Sequence, residues 1–137
     1  MIHHIENNNI FAKIEKEEDV FANIEKLATI YNIKGGIIVS GIGMLKNFEI
    51  GYFNGSEYIK EKYEKCYEVL SFHGSIADVD PRLHIHAALA GQDHRMVGGH
   101  LFAGVVDPLL EVYIVKTEKI KFKREYNDKS GLKELKF

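Results

Sequence analysis

Only one stretch of this sequence, from about Glu17 to Asn32, carries apolar residues at helical spacing. Val20, Phe21, Ile24, Leu27, Ala28 and Tyr31 fall on a single stripe, the signature of a helix with one buried face. Glu17, Glu18 and Asp19 suit the positive end of its dipole, and Gly35-Gly36 is expected to stop it. Nearly everything else reads as strand: Ile10–Ile14, Gly36–Ser40, Met44–Phe53, Glu57–Tyr63, Tyr67–His73, Leu83–Ala90, Met96–Gly104, Leu110–Lys116 and Lys119–Tyr126. Asn54-Gly55 and Gly91-Gln92-Asp93 supply short hairpin turns. Sequential strands joined by short turns imply a mostly antiparallel sheet, and one helix can cover only one face of it. The expected class is α+β.

A chain of 137 residues is close to the commonest domain size, so residues 1–137 are expected to form a single domain. Hydrophobic residues make up 45% and charged ones 28%, the balance of a globular chain and not of a disordered one. The net charge of −2 argues against a broad nucleic-acid footprint, which needs a basic excess. Cys66 is the one cysteine, which excludes an internal disulfide and suits a reducing compartment. No apolar run approaches the ~20 residues of a membrane span, and Met1–Glu6 lacks the apolar stretch of a signal peptide. A cytoplasmic location without membrane contact is the expectation.

Lysine is unevenly placed. None occurs between Lys65 and Lys116, yet five of the seven histidines fall there: His73, His84, His86, His94 and His100. Lysine is avoided where its ammonium cannot reach water, so this window is expected to be buried or to face another subunit. It also holds the most suggestive chemistry. In a strand, residues i and i+2 point to one face, so His84 and His86 project side by side, about 7 Å apart at Cα. His100 follows on the next strand, and register decides whether it joins them. A turn centred on Gln92 sets His84 opposite His100, whereas a half-residue shift turns His100 to the other face. Three neutral imidazoles with an open fourth position form a catalytic zinc ligand set, which nickel, copper or iron also accept.

Gly98-Gly99 inside a strand marks a bulge or a close approach of backbone, ligand or a neighbouring subunit, and the pair is a candidate ligand-binding element. Glu68 sits mid-strand and either faces water or needs a partner, as a hydrogen-bond acceptor for a ligating histidine or as a general base. His73 is a second candidate base, and Glu111 raises the same question less strongly. Other motifs are absent or incomplete. Gly41-Ile42-Gly43 lacks the third glycine of a dinucleotide loop, where Lys46 stands, and reads as a bend or bulge. Ser40 and Ser71 lack the flanks of an activated serine, and Cys66 reads as a small strand residue. The stretch 116–137 holds eight basic and four acidic residues, with Lys119, Lys121 and Lys123 alternating against Ile120 and Phe122 as on a guarded edge strand. Arg82, Arg95 and Arg124 are the only arginines, too few for groove reading.

Four ordered blocks carry a resemblance: Gly41–Leu45, Tyr67–Ile76, Leu83–Leu89 and Val97–Leu101. Together with the ending Ser130–Leu135 they make the chain similar to the plants-and-prokaryotes-conserved (PPC) domain family from about Ile10 onwards. The resemblance implies a sandwich with a mainly antiparallel sheet, assembled as a homotrimer, and in some members a metal held by histidines of the kind matched here. Plant relatives place the domain after AT-hooks. No Arg-Gly-Arg-Pro core occurs in this chain, and Cys66 stands where plant members carry arginine. The resemblance attaches no reaction to the family.

Three classes of function follow as expectations. The first is a stand-alone homotrimer with zinc at His84, His86 and His100, its sites at or near subunit boundaries. The second is a DNA-associated regulatory protein. The third is a metal-dependent hydrolase, because zinc with an open position acidifies a coordinated water and Glu68 or His73 could serve as base. The small-molecule ligand or substrate is not legible in the sequence.

Overall fold

The computed structural model describes residues 1–137. In chain order the elements are β1 (Ile2–Glu6), β2 (Asn9–Glu15), α1 (Val20–Ile30), β3 (Gly35–Phe53), β4 (Tyr58–Tyr63), β5 (Tyr67–Ala77), β6 (Leu83–Ala90), β7 (Met96–Lys116), β8 (Lys123–Asn127) and β9 (Leu132–Lys136). The class is mostly antiparallel β with a single helix, as the alternation implied.

The helix is shorter than its apolar stripe. Asp19 caps it, its Oδ1 accepting from the Ala22 amide at 2.8 Å. At the other end Asn32 takes a left-handed conformation (φ 49°), while the Asn32 and Ile33 amides donate back to the Thr29 and Ala28 carbonyls. This Schellman-type ending stops the helix before Gly35-Gly36, which open β3 instead. Val20, Ile24, Leu27 and Ala28 are buried, and they join one apolar cluster with residues from β2, β3, β5, β6 and β7.

Seven strands pair in the order β1-β2-β7-β6-β5-β3-β4, and β7 also pairs with β3. The second pairing closes β3, β5, β6 and β7 into a ring. Only long strands can do this, and β3 and β7 span 19 and 21 residues. Each was expected as two strands, broken at Gly41–Gly43 and near Pro108. The breaks prove to be irregularities within continuous strands. Gly43 faces Leu110 and Leu45 faces Val106, so Asp107, Pro108 and Leu109 together stand opposite Met44. A proline that cannot donate to the ladder is tolerated in such a bulge. At Gly43 (φ 152°) a Cβ would lie 2.0 Å from the Leu109 carbonyl oxygen, so the bend requires glycine.

Two further elements differ from expectation. β1 is an unanticipated edge strand joined to β2 by the Asn7-Asn8 turn, with Asn7 at φ 55°. The expected strand Lys119–Tyr126 begins only at Lys123 and pairs with β9 as a separate two-stranded sheet. No helix is long and apolar enough to cross a membrane.

Candidate metal centre

On β6 the alternation is sharp: Leu83, Ile85, Ala87 and Leu89 enter the core, and His84, His86 and Ala88 take the other face. The β6–β7 loop runs from Gly91 to Arg95 and is centred on Asp93, one residue later than expected. Ala90 faces Met96, and His86, not His84, stands opposite His100. A one-residue move of the centre shifts the pairing by two residues, so His100 keeps the face it shares with His84 and His86.

The three rings converge. Their ligand nitrogens all lie within 4.8 Å of one another. His84 Nε2 is 3.1 Å from His86 Nε2, and the His84 and His100 ring centroids are 4.9 Å apart. Burial is the largest influence on each ring and disfavours its charged form. His84 is pushed down by burial, then by Arg124 and His86; His86 by burial, then by His73. His100 is pushed down to about 4 by burial, reinforced by His84, His86, Lys60 and Arg124. Neutral imidazoles are the ligating form. The buried Nδ1 of His100 has no hydrogen-bond partner, an exception to the rule that buried polar atoms are paired. These residues fit a borderline cation such as zinc: three neutral imidazoles close enough to share one ion, one of them with an unpaired ring nitrogen.

A row of residues crosses the sheet through this cluster. His73 on β5 faces His86, His86 faces His100, His100 faces Gly51 on β3, and Gly51 faces Lys60 on β4. His73 is therefore beside the cluster, its Nδ1 3.0 Å from Ser71 Oγ. Glu68 is not. It faces Ala90, four residues along β6 from His86, or roughly 13 Å of strand, and lines a separate recess with Cys66 and His94. Glu111 is exposed between Lys13 and Ile42, on a different part of β7. Gly98 and Gly99 are explained by backbone approach. A Cβ on Gly99 would lie 2.6 Å from the Gly51 carbonyl oxygen, and one on Gly98 2.9 Å from that of Ala87.

Arg124 was missed as a site residue. It is 9% exposed, and its Nη2 donates to Ser75 Oγ at 2.6 Å, where Ser75 stands opposite His84. A signal was present. Arg124 lies two residues after the buried Phe122 and shares its parity, not that of Lys121 and Lys123.

Fold and cluster together define a mostly antiparallel β domain bearing a three-histidine site. The chain belongs to the Plants and Prokaryotes Conserved (PCC) domain family, whose model matches residues 5–118. Its structure resembles a metal-containing protein from Archaeoglobus fulgidus at 26% identity, with a TM-score of 0.87 over 100% of this chain and 99% of that one. It also resembles a plant- and prokaryote-conserved protein from Pyrococcus horikoshii at 28% identity, with a TM-score of 0.84 over 99% and 97% of the two chains. A candidate DNA-binding protein from Bacteroides thetaiotaomicron shares the fold at 21% identity, with a TM-score of 0.88 over 99% and 96%. No curated protein matches the sequence.

Proposed function

We propose that this chain is a stand-alone, homotrimeric metal-binding domain in which His84, His86 and His100 hold one zinc ion. The carrying observation is the convergence of three burial-neutralised imidazoles, with the Nδ1 of His100 left unpaired. The similarity to a protein described as metal-containing supports the same reading. The trimer draws support from large apolar side chains that remain exposed on the strands, among them Phe11, Ile42, Leu70 and Met96. The test is the metal content of the purified protein. About one zinc per chain supports the reading; a protein that holds no zinc, and takes up none when zinc is added, overturns it.

A second reading, metal-dependent hydrolysis, is favoured by one observation: His73 lies directly across from His86 and is held by Ser71. A general base needs a place beside the reacting water, and His73 adjoins the histidine cluster whereas Glu68 does not. Turnover of an ester or phosphoester panel, lost on adding chelator and lost in His73→Gln, tests this reading. A DNA-associated role is supported by less: the net charge is −2, and the DNA-binding label belongs to relatives that share the fold at low identity.

A further inference from the structure

Beside the histidine cluster lies a cavity of about 730 Å³, well within the size range of small-molecule sites. His84, His100, Ser75 and Arg124 line its polar side, and Phe21, Tyr58 and Phe102 are among its aromatic walls. Arg124 is 9% exposed, and its Nε has no hydrogen-bond partner. Its one side-chain hydrogen bond is to the neutral Ser75 Oγ at 2.6 Å. A buried guanidinium is ordinarily paired with a carboxylate, because removing its charge from water is costly. Here none acts on it; burial alone pushes its pKa down. Of the carboxylates that line the cavity, Glu134 is engaged by Asn127 Nδ2 and Ser130 Oγ, and neither Glu25 nor Asp80 pairs with Arg124. The charged groups felt at His100 are Lys60 and Arg124, both cations. A divalent ion on the three neutral histidines would add positive charge beside a guanidinium that none of the lining carboxylates pairs.

We infer that this cavity binds a small organic anion, its charged group held by Arg124 and Ser75 and its apolar body against Phe21, Tyr58 and Phe102. The inference deepens the metal reading and rests on it only for the ion that would share the anion with Arg124. Guanidinium forks suit carboxylate and phosphate oxygens alike, and Ser75 engages only Nη2 of this one. The aromatic wall is itself organised. Tyr58 and Phe102 meet edge to face at 5.0 Å, and Lys60 Nζ lies 3.8 Å over the Phe102 ring. Arg124 sits on the β8–β9 hairpin, beyond the residues 5–118 that the family model matches.

The test uses full-length protein, zinc-loaded and chelator-treated, with benzoate and phenyl phosphate as probes and benzyl alcohol as the neutral control. Calorimetry is expected to show benzoate or phenyl phosphate binding at least ten-fold more tightly than benzyl alcohol, the tighter of the two anions identifying the headgroup. Arg124→Gln is expected to weaken the anion by about 10- to 100-fold while zinc content stays unchanged. Equal affinity in wild type and Arg124→Gln, or benzyl alcohol binding as well as the anions, overturns the inference. A zinc-free wild type sinks the metal reading instead, and the same comparison in chelator-treated protein still decides this one. If Arg124→Gln does not fold, the Arg124 Nε–H resonance of the wild type replaces it. A shift on adding benzoate supports the pocket, and an unmoved resonance overturns it.

Discussion

His84 Nε2 and His86 Nε2 stand 3.1 Å apart, so in the metal-free protein one imidazole donates to the other. An ion that takes a lone pair from each must break that bond. The proton signal of the shared N–H is therefore expected in metal-free protein and lost on zinc addition. Its survival at saturating zinc would place the ion elsewhere.

Replacing one ligand should empty the site. His84→Ala and His100→Ala are each expected to retain less than about a fifth of the wild-type zinc, since two nitrogens rarely hold the ion. His94→Ala, in the β6–β7 loop, should keep its metal. Elemental analysis after gel filtration distinguishes them, and full zinc in His84→Ala contradicts the assignment.

Glycines of one strand should differ in tolerance. Gly99→Ala sets a Cβ 2.6 Å from the Gly51 carbonyl oxygen, and backbone cannot step aside cheaply. A loss of about 1–3 kcal/mol is expected. Gly104→Ala is tight only against Leu45 Cδ1 at 3.2 Å, a side-chain end that can move, and meets Phe48 Cβ and Val20 Cγ2 at an ordinary 3.6 Å. Urea denaturation should rank Gly99→Ala well below Gly104→Ala.

Acid stability should depend on Glu49. Its hydrogen bond to Lys60 holds its carboxyl below the usual range, with Lys62 adding to the effect. A carboxylate whose pKa is lower folded than unfolded stabilises the fold fully above the unfolded value, near 4.5. That contribution is lost as pH falls through the folded value. Glu49→Gln is expected to be less stable than wild type at pH 6 and to lose less between pH 5 and pH 3. Parallel curves over that interval would contradict the ion pair.

Assembly is checked by light scattering. With Phe11, Ile42 and Met96 at 50%, 66% and 66% exposure, the free chain should self-associate, and three copies are expected. A stable 15.6 kDa species at micromolar concentration removes the trimer and any site shared between chains.

What the sequence made legible was direction more than partnership. Period-two alternation placed His84, His86 and His100 on one face, because face depends on parity. It mispaired them because Gly91-Gln92-Asp93 reads as a complete turn. The actual loop also takes in His94, at φ 61°, and Arg95, whose amide donates to Asp93 Oδ1. Gly41-Ile42-Gly43 was legible as a bend or bulge, but the strands on either side of it, and those on either side of residues 105–109, were read as separate because sequence does not show that pairing resumes beyond a bulge. β1 went unseen because Ile2-His3-His4-Ile5-Glu6 shows no alternation of apolar and polar residues. Arg124 escaped because its neighbours Lys119, Lys121 and Lys123 made the segment look wholly solvated.

The ring closed by β3 and β7 has a kinetic consequence. Gly36 pairs with Lys116, 80 positions away, and Gly51 with His100, so the two longest strands meet only after the intervening chain is gathered. Contacts so distant in sequence must overcome loop-closure entropy before they contribute any stability. Refolding should therefore take milliseconds to seconds, with the β5–β6 hairpin forming ahead of the β3–β7 seam. The histidine face, whose row runs from β5 across that seam to β4, would be the last part of the molecule to acquire its final shape.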